Sequence, residues 1–368
     1  MVDACHKEKE ITNEELTIRL KWNPGFDTEP YSNIETGLLW TLSYLGADLP
    51  VGSLSKTIVR LNLPYLELRL YHAGFSDDAK KKLALLLSDM KESAEYQQSG
   101  GIDVGRFVML TLYSSYNYYA ITNTERSFDQ FEKNFLHTTQ LRYAVNNSDV
   151  SSHERLITFS PTSTALQMGF IAADGIGSIA QNQFQVETHE CWSIMKNGQL
   201  KYAVYNSTGK LAGCSTSEAG KPGKCMWCHE IAVQSLYNTN ADLAGFLTQQ
   251  EFSAWISAYQ SLLDNYRETR HGEIDYSKTQ DHTYAELLYI TFMEPSLFRL
   301  AAEWNLSETE VLQRLSGIST HSIAEYPWLG NVYHRKEIES HSPFPTIPVS
   351  DDPRECSNYE PDYFGINP

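Results

Sequence analysis

The residue type with the most chemistry to offer in this chain is cysteine, present six times, at positions 5, 191, 214, 225, 228 and 356. Four of the six fall between Cys191 and Cys228, which suggests a shared local task. The tightest group reads Cys225-Met226-Trp227-Cys228-His229, a C-x-x-C-H run. On a helix, residues spaced i, i+3 and i+4 lie on one face. Two thiols there can form thioether bonds to a porphyrin while the following imidazole reaches the iron from the same side. Two other chemistries use the same residues. A C-x-x-C pair can cycle as a redox disulfide. Joined by Cys191 and Cys214 it would make a four-thiolate zinc site, although such sites usually show two close pairs and these two lie 23 residues apart.

Around the motif the chain reads Gly220-Lys221-Pro222-Gly223-Lys224 before Cys225, and Glu230-Ile231-Ala232-Val233-Gln234-Ser235-Leu236-Tyr237 after His229. Loop, C-x-x-C-H, then a short helix resembles a c-type cytochrome over about fifteen residues. The resemblance implies one covalent haem c on Cys225 and Cys228, with His229 as proximal iron ligand. It also implies electron transfer, or a haem-dependent redox role, with a redox partner protein. Many single-haem cytochromes take a methionine well downstream as second ligand. Met293, 64 residues after His229, stands in that place, its alternative being an ordinary helix core residue. His189, His282, His321 and His334 are other candidates, and a five-coordinate iron is a further option.

Ala4-Cys5 followed by His6-Lys7-Glu8-Lys9-Glu10 resembles the cleavage region of a bacterial lipoprotein, with Cys5 the acylated residue and a polar tether behind it. Haem c is attached outside the bacterial inner membrane. The two resemblances therefore agree on an exported chain, periplasmic or anchored to the outer membrane through a lipid on Cys5. In that setting Cys191 and Cys214 can pair, which leaves Cys356 over. A second class of function stays open. It is a binding or assembly lipoprotein without haem, with Cys225 and Cys228 as a disulfide or zinc ligands and glycans among the ligands considered.

The remaining motifs exclude more than they suggest. With 29 Lys and Arg against 46 Asp and Glu, the net charge of −17 argues against a nucleic-acid partner. No apolar run approaches the roughly 20 residues of a membrane helix. His-Glu pairs at 153, 189 and 229 never extend to H-E-x-x-H, and there is no G-x-S-x-G or Walker loop, so no catalytic residue is assigned. Ala173-Asp174-Gly175-Ile176-Gly177 lacks the third glycine of a dinucleotide fingerprint and reads as a turn. Tyr113, Tyr116 and Tyr119, with Tyr118 beside them, form a stripe that suits either helix packing or stacking on a ligand.

The elements that must position these residues predict an α+β fold, mainly helical. Residues 1–10 read as a tether and 11–150 as a helical N-terminal domain. Ser76-Asp77-Asp78 caps a helix there, and Asp103 starts another toward Tyr119. The segments Leu38–Leu45 and Ile58–Leu70 are ambiguous between helix and strand. Residues 151–216 predict an antiparallel β meander, with strands at Leu156–Phe159, Gln183–Val186, Trp192–Met195 and Leu200–Tyr205 and an Asn197-Gly198 hairpin. This would bring Cys191 and Cys214 to the ends of neighbouring strands. Residues 217–330 predict a helical region carrying the haem motif, with capping boxes at Thr248-Gln249-Gln250-Glu251 and Ser307-Glu308-Thr309-Glu310 and a break at Pro295. The proline-rich 331–368 reads as an extended tail or strap.

Overall fold

A computed structural model describes residues 10–146, 153–214, 221–235, 240–350, 353 and 360–366. Cys5 and its surroundings, and Cys356, lie outside the described residues. The fold is mixed α+β, built on two sheets. The first contains β1 (Thr17–Lys21), β2 (Ile58–Arg60), β3 (Tyr65–Arg69) and β4 (Ile102–Asp103), in the order β2-β3-β1-β4. In β1 and β3 alternate residues point inward: Ile18, Leu20, Leu66 and Leu68 are all buried. This sheet is the main departure from the helical N-terminal region expected above. Its strands have two to five residues, and β4 joins β1 in parallel from some 80 residues away.

The second sheet is the expected meander, one strand longer at its start. It runs β5 (Leu141–Val145), β6 (Arg155–Phe159), β7 (Gly169–Ile176), β8 (Gln185–Ile194) and β9 (Leu200–Asn206), each antiparallel to the next. The segments expected as separate strands around 183–186 and 192–195 belong largely to one continuous β8. Ala173–Ile176 is the end of β7, with a bulge between Asp174 and Gly175, rather than a free turn. At the β8–β9 hairpin only Gly198 takes positive φ, at 88°. Gly198 N–H donates to Met195 O and Met195 N–H to Gln199 O, a three-residue loop closed by a left-handed glycine. The Asn197 amide donates to Ser43 O and Ala47 O, docking this loop on the end of helix Tyr31–Tyr44.

Helices Tyr31–Tyr44 and Val104–Thr111 both pack on helix Thr283–Met293. The approach is close: a Cβ on Gly105 would lie 2.2 Å from Phe292 Cβ. Local start signals hold. Ser76 caps Asp77–Glu92, Asp103 caps Val104–Thr111, and capping boxes open Gln249–Glu268 and Glu308–Arg314. The helix from Asp103 does not reach Tyr119; it stops at Thr111 and restarts as Ser115–Ile121. Pro295 breaks the chain between Thr283–Met293 and Leu297–Trp304 as expected.

A buried charge cluster joins the N-terminal sheet to the C-terminal helices. Arg106 pairs with Glu95 at 2.6 Å, Arg299 with Asp103 at 2.7 Å, and Arg335 with Glu303 at 2.6 and 2.7 Å. The C-terminal segment, expected as an extended tail, begins with the helical turns Arg335–Ile338 and Glu339–His341, and beyond them it contacts the core. Ile347 O accepts from Arg106, Pro361 O accepts from Ser114 Oγ at 2.7 Å, and Glu360 pairs with the fully buried Lys221 at 3.0 Å. One apolar core runs from Leu16 to Val349, and a smaller one gathers Leu300, Trp304, Val311, Leu315, Tyr333 and Ile338.

Candidate functional site

The C-x-x-C-H run lies on the helix Pro222–His229. Pro222 suits the first helical position, where its fixed φ is already helical and its missing N–H is not needed. Before it, Lys221 is buried on the strap through Glu360 and Ser350. Met226 faces inward, 3% exposed, and Gly223 lies against the ring of Tyr113. The helix includes the motif and ends with it. Glu230 adopts a φ of 54°, so the expected helix after His229 does not form. Instead the chain turns back and buries Ile231 and Val233. The Gln234 amide donates to the carbonyls of Cys228 and His229 at 3.4 and 3.3 Å, capping the helix end.

Cys225, Cys228 and His229 line one cleft between this helix, the second sheet and helix Gln249–Glu268. The enclosed space of the cleft is about 100 Å³, and it opens to solvent at its mouth. That is below the roughly 300–1,000 Å³ of ordinary ligand sites, so a ligand of cofactor size would enter only with the cleft walls spread. The opposite walls are aromatic: Phe170 and Trp192 stack at 4.4 Å, and Tyr202 and Phe252 complete them. The His229 ring lies 6.0 Å from that of Tyr202. Arg155, Glu190 and Lys224 supply the charge, and Arg155 pairs with Asp174 at 3.3 Å and Glu190 at 3.4 Å.

Electrostatics set the state of each group. Burial, then the nearby Arg155 charge, pushes the His229 imidazole down to about 4. It is therefore neutral at pH 7, the form in which an imidazole ligates a metal. Burial, reinforced by Glu190, pushes the Cys225 thiol well above its ordinary value. This is the opposite of the depressed pKa that activates a redox dithiol. Cys191, also on the cleft wall, is pushed up by burial in the same way.

The cysteine pairing differs from expectation. Cys191 is not disulfide-bonded, whereas Cys214 is, so the two do not pair with each other. Register explains it. Cys191 sits mid-strand in β8 opposite Ala203, and Cys214 lies eight residues beyond the end of β9. The partner of Cys214 is outside the described residues. Cys225 and Cys228 are not joined to each other. With Cys214 in a disulfide, the four-thiolate zinc set is not assembled, and among the described residues these cysteines form no metal-binding group.

The second-ligand candidates lie elsewhere. Met293 is 2% exposed in the main core and does not line the cleft. His189 stacks on Phe128 at 3.7 Å, and His282 packs edge-on against Trp40 at 6.1 Å. His321 and His334 stack on each other beside Glu294. The tyrosine stripe is packing: Tyr113 stacks on Tyr289 at 3.8 Å, and the Tyr118 and Tyr119 hydroxyls accept from Tyr202 and Val204 N–H. Arg155, Glu190, Tyr202 and Phe252 reach the cleft through strand register and helix packing, which no local motif announces. Among the described residues no helix is long and apolar enough to cross a membrane. No family model, no curated protein and no solved structure matches the chain.

Proposed function

We propose that this chain is an exported c-type haem protein with one covalent haem on Cys225 and Cys228 and His229 as an axial ligand, serving electron transfer or a haem-dependent redox step. The observation that carries the reading is the meeting of two thiols and one neutral imidazole, from a single helix, on the wall of one aromatic cleft. The donor types suit the group, and the cleft, with about 100 Å³ enclosed, would have to open to admit the porphyrin. Cys225 and Cys228 are not joined to each other and the walls are flat aromatic rings, while Arg155 on the lining is already paired with Asp174 and Glu190. When bound, the haem supplies one-electron chemistry, with an iron whose potential follows its axial ligand and the polarity around it.

The chain's own groups do the rest. His229 stays unprotonated because burial and Arg155 disfavour its charge. Phe170, Trp192, Tyr202 and Phe252 exclude water. The disulfide at Cys214 supports an oxidising compartment, consistent with export. A net charge of −17 favours a redox partner that presents a basic face.

The test is expression in a host that matures haem c, followed by intact mass and a reduced-minus-oxidised spectrum. The expected protein is red and one haem heavier than the polypeptide. Cys225→Ala with Cys228→Ala abolishes covalent attachment, and His229→Ala keeps attachment but changes the spectrum. A colourless product whose Cys225 and Cys228 both titrate as thiols would end the proposal.

A further inference from the structure

The geometry points to a divalent transition-metal site, separate from the cleft, formed by Glu294, His321 and His334. The three come from different segments. Glu294 ends helix Thr283–Met293, its N–H bonded to Ile290 O at 2.8 Å, and Pro295 stops the helix there. His321 and Val332 exchange two backbone hydrogen bonds of 3.0 and 2.9 Å, and Tyr333 N–H donates to Pro295 O at 3.0 Å. A small ladder of His321, Val332 and Ser296 therefore brings both histidines beside Glu294. Its anchors are buried: Val332 is fully enclosed and Arg335 is locked to Phe292 O and Glu303. The backbone thus fixes the three positions independently of any contact among their side chains.

Within that frame the side chains converge. The imidazoles stack at 4.0 Å with 19° between their planes and both present a nitrogen to the same Glu294 oxygen, so one ring would turn about its side-chain bonds to bring both in-plane lone pairs onto a metal. His321 Nε2 lies 3.2 Å from Oε1 and His334 Nδ1 lies 3.5 Å from it. All three donor atoms lie within 4.8 Å of one another. A tetrahedral zinc with ligands at about 2.05 Å requires ligand–ligand edges of about 3.3 Å. The two carboxylate edges bracket that length. A hydrogen bond accounts for the shorter contact but is stretched at 3.5 Å.

Two imidazoles and one carboxylate select a borderline metal such as zinc over calcium or magnesium, which prefer all-oxygen shells. His334 is half exposed, so the fourth position faces solvent and takes a water. Bound metal would clip the loop between His321 and His334, whose tip carries the exposed Trp328, onto the end of helix Thr283–Met293.

The probe is zinc ion alone, titrated calorimetrically into metal-stripped full-length protein carrying Cys191→Ala, Cys225→Ser and Cys228→Ser, so that the cleft thiols contribute nothing. One saturable site is expected. Glu294→Gln and His334→Ala should each weaken it by more than the roughly 10–100-fold that loss of an outer-shell partner costs. Cobalt in place of zinc should give a tetrahedral spectrum without a thiolate band. Circular dichroism confirms that each variant is folded; His334, being half exposed, is the safer of the two. Absence of saturable zinc binding, or binding of unchanged affinity in both folded variants, would overturn the site. Because the cleft cysteines are removed, this outcome is independent of whether haem is attached.

Discussion

Gly223, two residues before Cys225, sets how closely the motif helix approaches the core, and Gly223→Ala tests that directly. An added Cβ would lie 2.5 Å from Tyr113 Cδ1 and 3.1 Å from Cε1. Ordinary carbon contacts are about 3.5–4.0 Å, so helix and ring must separate by about 1 Å. The ring has nowhere to go, because Tyr113 is stacked on Tyr289 at 3.8 Å and 3°, and Tyr289 is fully buried. Overpacking of this kind costs about 1–3 kcal/mol. Replacing glycine by alanine in a helix returns up to about 1 kcal/mol, less in a first turn. The expected net loss is about 1–2 kcal/mol. At about 2.1 cal/mol/K of unfolding entropy for each of 368 residues, Tm falls by only about 1–3 °C. Urea denaturation is therefore the better assay. A cycle with Tyr113→Leu isolates the clash: the cost of Gly223→Ala should shrink by at least about 0.5 kcal/mol in that background. A Gly223→Ala protein as stable as the parent, or strictly additive effects, would refute the reasoning.

Two further outcomes follow from buried charge. Burial pushes the Glu303 carboxyl up, but Arg335, backed by Arg299 and Arg106, overrides it and holds it down at about 2. Its contribution is complete above the unfolded value of about 4.5 and is lost as pH falls toward 2. Glu303→Gln, which leaves Arg335 buried and half-satisfied, should cost about 3–5 kcal/mol in urea at pH 7 and less at pH 3. His282, 5% exposed beside Trp40, is pushed down to about 4 by burial. The unfolded chain takes up the proton below about 6.5 and the native one resists it, so stability falls as pH drops from about 6.5 to 4. The loss reaches at most about 3 kcal/mol. His282→Gln should remove that slope, and an unchanged pH profile would count against it.

Local chemistry was legible in the sequence and long-range pairing was not. Thr248 with Glu251 and Ser307 with Glu310 make their hydrogen bonds within one turn, so four residues suffice to announce each helix start. The C-x-x-C-H group is legible for the same reason, since one helix turn gathers all three side chains. The first sheet shows the opposite case. Ile18 and Leu20 become inward-facing only when β3 and β4 arrive from about 50 and 80 residues away. The same limit hid the rest of the cleft. Arg155, Phe170, Glu190 and Tyr202 lie on four different strands, and their convergence depends on a register that turn residues only partly specify. The Cys191–Cys214 expectation failed for that reason too: an unbroken β8 placed Cys191 in mid-strand.

The way the motif helix is held bears on which thiol chemistry suits it. Its start is pinned by Lys221 to Glu360 and Ser350, its buried side rests through Gly223 on Tyr113, and its end is capped by Gln234. Val233 N–H, just beyond, is bound by Gln260 at 2.6 Å. The face bearing Cys225, Cys228 and His229 is left toward the cleft. A dithiol that cycles through a disulfide needs an activated thiolate and freedom for two sulfurs to close on each other. Here the Cys225 thiol is pushed up rather than down, and the helix is fixed at both ends and along its buried side. In the haem reading, Cys225, Cys228 and His229 would hold the group from one face of a helix that is already fixed. The pinning and the raised thiol pKa both follow from how the helix is packed, and both weigh against a redox-cycling pair.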